Sequence, residues 1–345
     1  MMDQLDLFAQ PSAEPRPGPR PATIPSPATS HQARTRRAAR GLTPRRLADR
    51  ITERVVRAWH HASTDSGHGI PLGVVATLAQ ISQPHHGPDV AAHLLALKPE
   101  ELWQVLERVW AMQWIRRPEL VHWATPLHTW LEQEPDARRL RAVYAVAHAA
   151  LEDGQLELTG NPEPLWRCDV DLLGTVLTGL RSHGARQVLG EYHTPPDIAA
   201  VMARFTLGTG EDLKPGQWFD EPAAGTGGLF RALAQHLREA GRDPRHYGWS
   251  MGEIDPLAAA CCAVNAIVWD LGPNVLVACT DTLADGNGAQ RALAERRELY
   301  AHRDRLVACA KELAAWRDAF AAVESLITPQ SRADHPGRAS TPPTR

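Results

Sequence analysis

The stretch Gln217-Trp218-Phe219-Asp220-Glu221-Pro222-Ala223-Ala224-Gly225-Thr226-Gly227-Gly228-Leu229-Phe230 decides the fold. It reads as a short apolar strand that ends in acids, turns through glycines and opens a helix running to about Ala240. Glycines let the backbone turn tightly and leave no side chain where a ligand must approach. The N–H groups at the start of the helix suit a carboxylate or phosphate. Many nucleotide-binding loops share such a turn, so the flanking segments carry the discrimination.

Upstream, Gly190-Glu191-Tyr192-His193-Thr194-Pro195 precedes an apolar helix from Pro196 to Phe205. Downstream, Tyr247 to Pro256 reads as a second strand ending in Glu253 and Asp255. A helix from Leu257 to Trp269 leads to a third strand, Val275 to Cys279, which ends in Thr280-Asp281-Thr282-Leu283. This order resembles the S-adenosylmethionine (SAM) half of adenine-N6 DNA methyltransferases, above all the modification subunits of type I restriction systems. That family reads Tyr-x-Thr-Pro, Asp-Pro-x-x-Gly-x-Gly, Gly-x-Glu and an Asp after the third strand. The resemblance spans roughly residues 187–286. It implies an α/β fold with a Rossmann-like SAM-dependent methyltransferase core, SAM as cofactor, DNA as partner and a role in restriction-modification.

The resemblance puts the cofactor on Tyr192, Thr194, Asp220, Glu221, Pro222, Ala223, Gly225, Gly227, Glu253 and Asp281. Gly225 and Gly227 would let the backbone pass under the amino-acid end of SAM, and Asp220 or Glu221 would favour its ammonium. The family has Asp where Glu221 stands, so either acid can be the inward one. Glu253 suits the two ribose hydroxyls, as strand-end acids do in dinucleotide folds, and Asp281 would accept from the adenine amine. The plain alternative for both is a solvated strand-end acid. For Thr194 the alternative is an N-cap, with proline at the first helical position and Asp197 in the first turn.

One part of the family pattern is missing. Methylating an exocyclic amine requires acceptors for its hydrogens, because its lone pair is delocalised into the ring. The family supplies them with Asn/Asp-Pro-Pro-Tyr/Phe after a fourth strand, the aromatic stacking on a flipped base. No such motif occurs in the 345 residues. Asn161-Pro162-Glu163-Pro164 precedes the other motifs, Thr341-Pro342-Pro343-Thr344 lies in the tail, and neither carries the aromatic. The sequence therefore names no catalytic residue, and methyl transfer is expected to need a partner. The alternative is a silent SAM-binding or scaffold protein.

From about Ala289 to Ile327 the pattern is helical without an internal Gly or Pro. Leu299, Leu306, Leu313, Phe320 and Ile327 recur every seven residues, and Cys309, Trp316 and Val323 form a second seam. Both self-packing on the sheet and pairing with a second copy or a partner subunit fit this stripe. The polar, Pro-rich tail that follows is expected to be disordered.

Residues 1–42 are rich in Pro, Ala, Ser and Arg and are expected to be a disordered arm. Within them Gln4-Leu5-Asp6-Leu7-Phe8 resembles the pentapeptide that docks bacterial replication and repair proteins on the sliding clamp; the alternative is a chance amphipathic turn. Arg34, Arg36, Arg37, Arg40, Arg45, Arg46 and Arg50 form a run suited to phosphates or to a solvated flank. Residues 43–186 read as a helical domain, with stripes at Leu47-Ile51-Val55-Val56-Trp59, Leu102–Trp114, Leu120–Leu131 and Leu140–Leu151. The divisions expected are thus 1–42, 43–186, 187–286, 287–328 and 329–345.

Five cysteines without a Cys-x-x-Cys spacing suit a reducing compartment, and His60-His61 and His85-His86 lack further ligands at zinc spacing. The acidic start and the absence of a long apolar run point to a cytoplasmic protein outside any membrane. Net charge is −3, so a DNA contact would rest on local patches.

Overall fold

The computed structural model describes residues 41–63, 67–84, 86–181, 194–208 and 213–327. The Gln4–Phe8 segment, His85 and Tyr192 lie outside them.

The described residues begin with helix α1, Pro44–Ala62, capped by the Thr43 hydroxyl and opened by a proline at its first position. Its stripe behaves as its spacing requires: Leu47, Ile51, Val55 and Trp59 are buried, and Val56 packs against the core. Then follow α2 (Gly69–Ala79), α3 (Val90–Leu95), α4 (Pro99–Arg116), α5 (Pro118–Trp123), α6 (Ala137–Glu152), α7 (Gln155–Thr159), α8 (Pro164–Arg167) and α9 (Leu172–Leu180). Helix α1 lies along α6, and α9 packs on α1. The Leu120–Leu131 stripe is not one helix. It breaks after Trp123 into two 3-10 turns, Thr125–Leu127 and Thr129–Glu132. Pro126 explains the break, since it offers no N–H and disfavours helical dihedrals in the residue before it.

Helix α10, Pro196–Leu207, leads into strand β1 (Trp218–Glu221), helix α11 (Gly228–Glu239), strand β2 (Gly248–Glu253), helix α12 (Pro256–Val268) and strand β3 (Val275–Cys279). The three strands form a parallel sheet in the order β1-β2-β3. Each parallel step needs a crossover, and α11 and α12 provide them. On one face Trp249, Met251, Val275 and Val277 join the buried cluster, with Phe230 of α11 edge-on to Trp249 at 5.2 Å. Helix α12 packs on β2 and β3 and on α2, α5 and α9, so this cluster continues into the helical region. On the other face, Ser250, Gly252, Leu276 and Ala278 line a cleft beside the start of α13, Gly288–Ile327.

Two surfaces of this unit stay open among the described residues. Strand β1 pairs only with β2. Its Trp218, about half exposed, lies across Gly248, where a Cβ would come within 2.1 Å of the indole. Helix α10 turns Ala199, Ala203 and Leu207 inward and packs on α11, while Ile198, Val201, Met202 and Phe205 face solvent. Helix α13 docks on β3, β2 and α5 through its first turns and then leaves the body. No described helix is long and apolar enough to cross a membrane.

Candidate functional site at the strand ends

The site is assembled at the carboxyl ends of β1, β2 and β3. Strand β1 ends at Glu221, and the chain turns through Pro222 to Gly227 before α11 begins. Gly225 and Gly227 hold φ +57 and +92, the left-handed region that glycine enters without steric cost. Their surroundings differ. A Cβ on Gly225 would meet nothing within 4 Å, whereas one on Gly227 would lie 3.1 Å from the Trp269 ring. Gly225 thus faces open space, and Gly227 sits against the core. The first turn of α11 has no side-chain cap, so its N–H groups remain available to an acceptor.

Four side chains from other elements fix this turn. Glu253, at the end of β2, accepts from the Gly225 N–H at 2.8 Å with Oε2 and from the Asp255 N–H at 2.8 Å with Oε1. Asp171, the N-cap of α9, accepts from the Thr226 hydroxyl and, with Oδ1, from Asn265 Nδ2 at 3.0 Å and the Gly174 N–H at 2.9 Å. Asn265 also donates to the Thr226 carbonyl at 2.8 Å. Cys262 donates to the Gly225 carbonyl at 3.1 Å. Burial, and after it the charges of Glu253 and Asp171, push the Cys262 thiol well above its ordinary range, so it stays a neutral donor.

Asp255 caps α12 through the Ala258 N–H at 3.0 Å and pairs with Arg181 at 2.8 Å, which ties the end of β2 to the end of α9. Asp281 spends Oδ1 on the N–H groups of Leu283 and Ala284, closing the turn after β3. Thr282 donates to the Pro222 carbonyl at 2.9 Å and joins that turn to the glycine loop. Thr194 is exposed ahead of α10. The cap of that helix is Pro195 and carries no side-chain hydrogen bond, so the helix starts one residue later than a Thr194 cap requires.

Of the residues singled out in the sequence, the structure joins Gly225 directly to Glu253. Asp220 and Pro222 line the cleft on the α13 face with Thr280, Thr282 and Asp285, about 180 Å³ in volume. Glu221 points elsewhere, accepting from the Ala223 N–H at 3.2 Å within its own turn. Glu253 holds the loop but keeps acceptor capacity, because a carboxylate offers about four lone-pair positions and two are used. Residues the sequence did not reveal are Asp171, Thr226, Asn265 and Cys262. Asp171 and Thr226 lie far in the chain from each other and from the pair Cys262 and Asn265, so no local spacing unites the four. For Asp255 a local signal existed, since Asp followed by Pro marks a helix start.

A comparison with curated proteins finds no significant match. Residues 170–295 match the family model described as N-6 DNA Methylase. That span starts beside Asp171 and runs through α9, α10, the three strands and the docked start of α13. Through this segment the chain is similar to N-6 DNA methylases.

Proposed function

We propose that the protein binds SAM over the carboxyl ends of β1 to β3, on a Rossmann-like methyltransferase core, and serves adenine-N6 methylation of DNA with a partner that completes the reacting half. The observation that carries this reading is the glycine turn, left-handed at Gly225, open above it and held by the Glu253 carboxylate of the neighbouring strand. Ligands of parallel α/β sheets bind at this end of the strands.

Charge favours SAM over a dinucleotide. Asp220, Glu221, Glu253 and Asp281 all sit at or beside the strand ends, and a negative rim suits a cationic sulfonium and an ammonium better than a pyrophosphate. Glu253 would take the ribose hydroxyls with its unused lone pairs, and Gly225 would leave room for the amino-acid end. Tyr192 and Thr194 enter from the family resemblance alone. The need for a partner rests on the missing Asn/Asp-Pro-Pro-Tyr/Phe motif and on the edge of β1, which has no partner strand among the described residues. Restriction-modification is the setting that this resemblance suggests.

Calorimetric titration with SAM tests the cofactor step, with Glu253→Gln keeping shape and Glu253→Ala removing it. Saturable binding that weakens in both variants supports the reading; equal binding in all three removes Glu253 from the site. Transfer of a tritiated methyl group to DNA, with and without proteins encoded alongside, tests the rest. The absent motif also favours a second reading, a SAM-binding scaffold without turnover, for which binding persists and no methyl transfer appears under any pairing. The Gln4–Phe8 peptide would connect such a scaffold to replication.

A further inference from the structure

We infer that the outer half of α13 is a coiled-coil arm that pairs, parallel and in register, with the same helix of a second copy of this chain. The inference is independent of the cofactor reading.

The helix divides in two. Its first half is docked: Ala292 is buried, Trp123 donates to Glu295 at 3.1 Å, Arg296 donates to the Pro273 carbonyl at 2.8 Å, and His302 lies edge-on to Trp114 at 6.0 Å. Arg303 stacks on Tyr300, with its guanidinium 4.5 Å from the ring centroid. Beyond Asp304 the described residues are largely exposed. Between 304 and 324 only Val307 and Ala314 are even partly covered.

The apolar residues of this arm fall on one line. Leu306, Cys309, Leu313, Trp316, Phe320 and Val323 are spaced alternately by three and four residues. That is the a/d spacing of a coiled coil, with Leu306, Leu313 and Phe320 at a and Cys309, Trp316 and Val323 at d. Leu313, Trp316 and Phe320 are 64%, 65% and 63% exposed. A helix packed on its own domain would cover such a seam, and a solvated helix would not carry it. The seam begins where the docked half ends.

The flanking charges select the occupant. With Leu306 at a, Arg305 and Glu312 stand at g, and Ala310 and Arg317 stand at e. Two parallel chains in register bring each g residue beside the following e residue of the partner. Glu312 then meets Arg317 of the other copy, twice by symmetry, and Arg305 meets the neutral Ala310. A second copy therefore satisfies the seam and its flanks with the residues the arm already has. The a and d layers are self-complementary, as an isologous two-fold interface requires.

Register makes Cys309 a built-in reporter. At d in a parallel, in-register pair it faces Cys309 of the second copy, whereas an antiparallel pair sets it against the far end of the seam. Cys309 is exposed, as is Cys279, while the other three cysteines are buried. The full chain is treated with diamide, which takes up the two hydrogens lost as two thiols join in a disulfide. We expect a covalent dimer from the wild type and from Cys279→Ser, and none from Cys309→Ser. Sedimentation of the reduced protein should give twice the mass of one chain, and Leu313→Glu with Phe320→Glu should give the single mass with an unchanged unfolding transition of the body. Reversing Glu312→Arg or Arg317→Glu alone should weaken association severalfold, and the two together should restore it. A reduced wild type that sediments as one chain overturns the inference, leaving the seam to a different protein. A dimer that Cys309→Ser still cross-links, or that the double reversal fails to restore, overturns the parallel register.

Discussion

Replacing Gly225 with alanine separates a turn that merely bends from a turn that seats a ligand. At φ +57 an alanine enters the left-handed region at a cost of roughly 1–2 kcal/mol. No steric cost adds to this, because its Cβ would meet nothing within 4 Å. Against a typical stability of about 5–15 kcal/mol the variant stays folded at room temperature, its melting point lowered by a few degrees. On the proposed reading the new methyl group would nevertheless stand where the amino-acid end of SAM would pass, so affinity should fall at least about tenfold, or ~1.4 kcal/mol. Gly227→Ala provides the contrast. Its Cβ would press to 3.1 Å on the Trp269 ring, which is buried, so overpacking of roughly 1–3 kcal/mol adds to the strain. Chemical denaturation should rank wild type above Gly225→Ala above Gly227→Ala. Calorimetry with SAM should show the loss in Gly225→Ala exceeding anything its stability explains. Wild-type affinity in a destabilised Gly225→Ala would show that the turn serves the fold alone, and the cofactor reading of the loop would go with it.

Other perturbations probe the supports of the loop. Gly225→Asp sets a carboxylate against that of the cofactor and should abolish SAM binding. Asp171→Asn keeps the shape but cannot accept on both sides, which strands the Thr226 hydroxyl or Asn265 at a cost of roughly 1–3 kcal/mol. Amides of residues 224–228 should then exchange faster while those of α1 and α6 do not, and equal protection would deny Asp171 its hold on the turn. Cys168 is buried between Arg231 and Arg238, and burial raises its thiol from the ordinary 9.0 to about 11. The unfolded chain loses this proton first. The stability tied to the neutral thiol is therefore whole below pH 9 and lost progressively up to about pH 11. Cys168→Ala should flatten that decline by about 2–3 kcal/mol, and a profile parallel to wild type would exclude the thiol as its source.

What the sequence reveals and what it hides divide along the range of the interactions. β3 appears at Val275–Cys279, as its apolar run indicates, because a buried parallel strand needs only such a run. The glycine turn is likewise local, its conformation being set by residue type at Gly225 and Gly227. The long helix is legible through the absence of breakers between Ala289 and Ile327. Asp171, by contrast, lies 55 residues from Thr226 and 94 from Asn265. Its own neighbourhood announces only a helix cap, and the clamp exists once α9 is laid beside α12. The same holds for the two halves of α13. Their heptad spacing is continuous, and only the positions of α4, α5 and β3 decide that the docked part ends near Arg303.

Among the described residues β1 pairs only with β2, and on the proposed SAM reading this open edge and the absent amine-acceptor motif bear on one place. A parallel sheet is stable when both edges and faces are dealt with, and a strand as short as Trp218–Glu221 is a modest hazard by itself. Trp218 makes it more pronounced, since its half-exposed indole lies across Gly248 on the face away from the core. Beside the same unit, α10 presents Ile198, Val201, Met202 and Phe205, the last of them 86% exposed. A strand added parallel to β1 would restore the backbone pairing of the edge and bring apolar cover toward Trp218. It would also end level with Glu221, next to the turn at Gly225. A group carried just past such a strand would reach the space over the glycine turn, where the methyl group of a cofactor would lie. On the proposed reading, a strand on this edge and the acceptor of the amine hydrogens would come as one piece, because the geometry that pairs the edge would also deliver the chemistry. A partner that restored activity without protecting the β1 amides from exchange would break that identity.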